Sequence, residues 1–180
     1  MTKKTAFVTG ATSGIGEAIA RALANDYRLI ICGRNQNKLT SLQAELSENT
    51  TVQALTFDVR DRAAVHKAID SLPKEWSNID TLINNAGNAH GLATIHEGSI
   101  DDWDAMIDGN LKGLLYVTRA ILPQMVARKS GDIINIGSIA GKEVYPNGNV
   151  YCASKFGVDA ITQGLRQELN PYSIRVTSIN

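Results

Sequence analysis

The 180-residue sequence has no excess of either charge: 18 Lys and Arg stand against 18 Asp and Glu, for a formal net charge of zero. That balance supplies no polyanion-binding field, so nucleic acid is not an expected partner. Cysteine is scarce. Cys32 and Cys152 lack C-x-x-C spacing, and two such thiols read most simply as reduced side chains in a cytosol. No apolar run approaches the roughly 20 residues of a membrane-spanning helix. The basic start, Met1-Thr2-Lys3-Lys4, leads into a short strand and a glycine turn instead of a signal-peptide core. A cytoplasmic protein with no membrane partner is the expectation. His66, His90 and His96 show no metal-ligand spacing, so no metal is expected. Repeats, linkers and low-complexity segments are also missing, and the length suits one domain over residues 1–180.

What is present begins with Thr5-Ala6-Phe7-Val8-Thr9-Gly10-Ala11-Thr12-Ser13-Gly14-Ile15-Gly16-Glu17. A short β-branched run precedes a glycine-punctuated turn, and a helix opens behind it. Such a turn needs residues that tolerate positive φ and close backbone approach. The helix N-terminus presents unpaired N–H groups and the positive end of a dipole, which suits a pyrophosphate. A glycine-rich turn with no ligand is the alternative. Further strands are expected at 28–32, 51–57, 79–83, 133–137 and 174–179, with helices between them at 16–26, 37–46, 60–71, about 100–128 and 150–170. Leu39, Leu42 and Leu46 face inward in the second helix. Ser99 caps the fourth, whose line Gly109, Gly113 and Pro123 should bend.

Strands alternating with helices six times indicate an α/β fold, a doubly wound parallel sheet of the Rossmann type. Ligands of such sheets bind beyond the carboxyl ends of the strands, near the point where strand order reverses. Gly10, Arg34, Asp58, Asn85 and Ser138 each follow a different strand there. Tyr151 and Lys155, four apart at a helix start, share one face. A free phenol, with a pKa of ~10, is a poor base at neutral pH. An ammonium about 4 Å away, at an effective dielectric near 20, favours phenolate by roughly 4 kcal/mol. Trp76 and Trp103 read as packing anchors.

Thr9-Gly10-x-x-x-Gly14-x-Gly16, Asn84-Asn85-Ala86-Gly87, Asn110, Ser138 and Tyr151-x-x-x-Lys155 together resemble the short-chain dehydrogenase/reductase family. The resemblance implies that Tyr151 is the general acid/base, that Ser138 hydrogen-bonds the substrate oxygen, and that Lys155 tunes the tyrosine and binds the nicotinamide ribose. It implies that Asn110 holds a water linking Lys155 to solvent, although a polar residue breaking a helix is the plainer reading. Gly10, Ala11, Thr12, Ser13, Gly14, Ile15 and Gly16, with Asn85, Ala86 and Gly87, are expected to hold the dinucleotide. The resemblance also implies a Pro-Gly turn, a substrate lid and a seventh strand, none of which is among these residues. A truncated nucleotide-binding or oligomerisation module without catalysis is therefore the alternative from another class, and strand six is expected at a sheet edge.

The second strand bears on the cofactor. NAD enzymes generally place Asp or Glu at its end to hold the ribose 2′-hydroxyl, whereas here Cys32-Gly33-Arg34-Asn35 follows. With no carboxylate to repel a 2′-phosphate and a guanidinium to grip it, NADP is expected over NAD by roughly ten- to hundred-fold, with Arg34 and Asn35 both against the cofactor. The alternative at Arg34 is simply the start of the next helix. Asp58 suits the adenine amino group with Val59 against the ring, or else is a helix N-cap. The stretches 71–80, 102–108 and 133–138 are similar to the NADP-dependent 3-hydroxy acid dehydrogenases, with a broad-range carbonyl reductase as the competing expectation. Family members form tetramers through the long helix and the tyrosine-bearing helix, so a homotetramer is expected from the apolar stripe between Trp103 and Val126.

Overall fold

The computed structural model describes residues 3–180; Met1 and Thr2, where the basic start begins, lie outside the described residues. Strands β1 (Lys4–Val8), β2 (Tyr27–Gly33), β3 (Val52–Thr56), β4 (Thr81–Asn84), β5 (Gly131–Ile136) and β6 (Ile174–Ile179) form one parallel sheet. Their order is β3-β2-β1-β4-β5-β6, so the chain reverses direction across the sheet between β1 and β4. Helices α1 (Gly14–Leu23), α2 (Gln36–Leu46), α3 (Arg62–Asp70), α4 (Ile100–Met106), α5 (Gly113–Arg128) and α6 (Asn149–Leu169) connect them. The alternation of each strand divides its apolar side chains between two cores. Phe7, Ile30 and Cys32 join Val117, Ile121 and Met125 on one face. Ala6, Val8, Leu29 and Ile31 join Leu39, Leu42 and Leu46 on the other. Both faces are covered, as a parallel sheet requires.

Local chemistry sets the helix ends. Asn35 caps α2 by accepting from the Lys38 N–H at 3.0 Å. Asp61, not Asp58, caps α3, accepting from the N–H groups of Ala63 and Ala64 at 2.9 and 3.0 Å. Asp58 therefore is not the N-cap that its position allows. Ser99 caps α4 as expected. The long fourth helix is interrupted by a π-helical turn, Ile107–Lys112, which contains Gly109 and adjoins Gly113; Pro123 is accommodated inside α5. Much of the apolar stripe is used within the chain, since Met106, Leu114, Val117, Ile121 and Met125 are buried. Trp76 is an anchor, buried with the Arg28 guanidinium 4.1 Å from its ring centre. Strand β6 stands at one edge of the sheet. No helix among the described residues is long and apolar enough to cross a membrane.

A buried polar ladder crosses the middle of the sheet. The Asn84 amide donates to Thr118 Oγ1 and to Asn135 Oδ1, both at 2.9 Å, and the Asn135 amide donates to Thr162 Oγ1 at 2.9 Å. One chain of bonds thus ties β4 and β5 to α5 and α6. Asn135→Ala leaves buried partners unpaired and is expected to lower unfolding free energy by about 2–3 kcal/mol, measured by urea titration.

Candidate active site

The glycine turn is shaped by what passes beneath it. Gly10 has φ +65°, and a Cβ there would lie 2.9 Å from the Ala86 Cα. At Gly16 a Cβ would overlap the Gly10 carbonyl and the Asn85 amide. Thr9, buried under the turn, accepts from the N–H groups of Asn85 and Ala86, each at 2.9 Å, while the Asn85 amide donates to Thr9 O at 2.9 Å. The segment after β4 is thereby fastened to the segment after β1. Ser13 precedes α1 without bonding to it through its hydroxyl, which leaves the first-turn N–H groups of that helix free to receive an anion.

Above the turn lies a cavity of about 420 Å³. It is lined by Gly10, Thr12, Ser13, Gly14, Ile15, Arg34, Asp58, Val59, Asn85, Ala86, Gly87, Tyr151 and Lys155, all named from the sequence. Ala11 and Gly16 are instead buried under it, with the Ala11 N–H donating to Cys32 O at 3.0 Å. Asn35 is turned to its capping bond and is not part of the wall. Gly33, Phe57, Arg60, Asn88, Ala89, Gly109, Ile136 and Gly137 also line the crevice and were not foreseen.

At the far end, the Lys155 ammonium is largely buried and donates to Ile136 O at 3.0 Å, leaving two of its three donors. Burial holds its pKa below the ordinary lysine range. It lies 5.9 Å from the Tyr151 ring centre, on the same side of the helix as the spacing implies. Ser138, after β5, accepts from the Ala140 N–H at 3.1 Å; its own O–H keeps its donor capacity. It is half-buried and outside the crevice wall. Asn110 sits in the π turn and makes three hydrogen bonds through its amide: Oδ1 accepts from the Asn88 N–H at 2.7 Å, and Nδ2 donates to Asn88 O at 2.8 Å and Ser154 Oγ at 2.9 Å. It holds the loop after β4 against α6.

At the other end, no carboxylate stands at the end of β2, as expected, but the segment after β3 brings one beside Arg34. Asp58 Oδ2 lies 3.9 Å from Arg34 Nη1. Burial alone would push the Asp58 carboxyl up. The side-chain and main-chain bonds from Arg60, with the charges of Arg60 and Arg34, outweigh it and hold the group below the usual carboxylate range.

A second cavity, of about 250 Å³, adjoins the first. Leu92, Ile95, Trp103, Met106 and Tyr145 contribute to it, and Ala89 and Tyr151 are common to both cavities. Trp103, expected as a packing anchor, is half-buried and forms part of this wall.

The short chain dehydrogenase family model matches residues 4–180. The chain belongs to the short-chain dehydrogenase family. It is 50% identical over 173 residues to the NADP-dependent 3-hydroxy acid dehydrogenase YdfG of Escherichia coli O6:H1, a match that covers 96% of this chain and 69% of that protein. Its structure superposes on serine dehydrogenase from Escherichia coli with a TM-score of 0.92 and 47% identity, covering 98% of this chain and 81% of the other. A closed serine dehydrogenase complexed with NADP+ matches at TM-score 0.91 and 48% identity, over 97% and 70% of the two chains. In this dehydrogenase the sequence reading missed Arg60 and the second cavity. The Asp58-x-Arg60 spacing was a usable signal for the first; the second comes from segments about 50 residues apart and has no local signature.

Proposed function

We propose that this dehydrogenase catalyses NADP-dependent oxidation of a small alcohol to its carbonyl, or the reverse, with a 3-hydroxy acid as the substrate class. The position of Tyr151 on the wall of both cavities carries this reading, because a proton donor there reaches a substrate lying beside a cofactor. The crevice fits a dinucleotide: glycines leave no Cβ in the turn, the α1 N-terminus faces it, and Lys155 retains donors. Gly10 and Thr12 through Ile15 would hold the pyrophosphate, Lys155 the nicotinamide ribose, and Asp58 with Val59 the adenine. Bound NADP supplies the hydride acceptor, and NADPH the donor.

The remaining work falls to side chains of this chain. During oxidation Tyr151 removes the hydroxyl proton; during reduction it returns one to the carbonyl oxygen. Ser138 donates its O–H to the same oxygen and orients it. Lys155 stabilises the phenolate by its charge. Asn110 supports this set by fixing the Asn88 loop and Ser154. Steady-state assays with NADP+ and short 3-hydroxy acids test the reading, which fails if the nucleotide binds and no substrate of this class is turned over.

Arg34→Ala is expected to weaken NADP+ binding by about tenfold, the loss of one charge-assisted bond, and to leave NAD+ binding unchanged in a calorimetric titration. A broad-range carbonyl reductase is the second reading, favoured by a substrate-side cavity with no Lys or Arg in its wall. Comparing kcat/KM for a 3-hydroxy acid and its methyl ester decides between them: the acid leads in the first reading, the ester in the second. A cytoplasmic location is supported by two free, buried cysteines. A homotetramer is supported by exposed Leu115 on α5 and Phe156 on α6, and a monomer in sedimentation equilibrium would remove it.

A further inference from the structure

Three charged side chains meet where the crevice passes the ends of β2 and β3: Arg34, Asp58 and Arg60. Resting on the NADP reading above, we propose that Arg60 is a specificity-determining positioning residue. By holding both carboxylate oxygens of Asp58, it keeps that carboxylate from hydrogen-bonding Arg34, 3.9 Å away, and leaves the Arg34 N–H donors to a 2′-phosphate. Arg60 Nε donates to Oδ1 and Oδ2 of Asp58 at 3.1 and 3.0 Å, Nη2 donates to Oδ2 at 2.7 Å, and its main-chain N–H donates to Oδ1 at 3.0 Å. Arg34 Nη1, at 3.9 Å from Oδ2, is beyond hydrogen-bond reach, and the Arg34 side chain is 67% exposed.

Charge and geometry agree. Two guanidiniums and one carboxylate leave this corner with one net positive charge. Without Arg60 the corner is neutral, and Arg34 becomes the nearest cation to an unmasked Asp58. The carboxylate then draws Arg34 toward itself and repels a phosphate arriving at the same place. NAD+ has no 2′-phosphate and is indifferent to this rearrangement. Any contact of Asp58 with adenine is common to both nucleotides and cancels in the ratio of their affinities.

The test is calorimetric titration of wild type, Arg60→Ala, Asp58→Asn and the double variant with NADP+ and NAD+ at low salt. Arg60→Ala is expected to reduce the NADP+/NAD+ affinity ratio by about fivefold, the upper end of the scale for one partly exposed charge pair. The double variant, with no carboxylate left to mask, is expected to recover the ratio to within about threefold of wild type. Because both affinities are measured on one preparation, an inactive fraction does not alter the ratio. An unchanged ratio in Arg60→Ala overturns the proposal. So does a double variant as unselective as Arg60→Ala, which would instead place Arg60 directly on the phosphate. Wild type that binds both nucleotides equally removes the NADP reading and this proposal together.

Discussion

Replacing Tyr151 with Phe is expected to reduce turnover by about 10²–10⁴-fold, the range that a positioned acid/base contributes, and to leave NADP+ affinity within about twofold. The substitution keeps the ring between the two cavities and removes only the hydroxyl. Its position explains why the effect falls on chemistry: Tyr151 stands at α6 on the wall of both cavities, with the Lys155 ammonium 5.9 Å from its ring centre. Stopped-flow and steady-state kinetics on one preparation separate binding from turnover. Retention of full activity would remove Tyr151 from the mechanism.

Gly16→Ala is expected to be the most damaging change in the glycine turn, costing about 3 kcal/mol of stability and most of the nucleotide affinity. A methyl group there meets the Gly10 carbonyl, fixed main chain that cannot rotate away, and the Asn85 amide that fastens β4 to the turn. Gly14→Ala is the control. Its φ of +55° makes alanine strained, by about 1–2 kcal/mol, but nothing lies within 4 Å of the added carbon. Thermal and urea unfolding should rank Gly16→Ala well below Gly14→Ala. Equal losses would mean that backbone strain, not crowding under the turn, governs both.

These two sites mark how far the sequence alone reaches. The parallel sheet was legible because a strand buried on both faces leaves an uninterrupted apolar run, as in Leu29-Ile30-Ile31-Cys32, and each helix between strands carries its own period. Strand ends moved by one or two residues where pairing, not hydropathy, sets the limit, as at Thr81. Tyr151 and Lys155 were legible because one helical turn brings them to one face. The glycine turn was legible as a shape, but the crowding that divides Gly14 from Gly16 comes from Asn85, far along the chain. The same reason hid the Asn84–Asn135–Thr162 ladder, the engagement of the Asn110 amide, and the carboxylate of Asp58 beside Arg34. Each is a contact between segments that only the folded sheet brings together.

The most direct test follows a label. The protein is incubated with NADP+ and a 3-hydroxy acid that carries deuterium on its hydroxyl-bearing carbon, and the reduced nucleotide is weighed by mass spectrometry. The expected product is NADPH containing one deuterium atom from the substrate. NADP+ that binds tightly while no deuterium reaches it would contradict hydride transfer and leave only a nucleotide-binding fold.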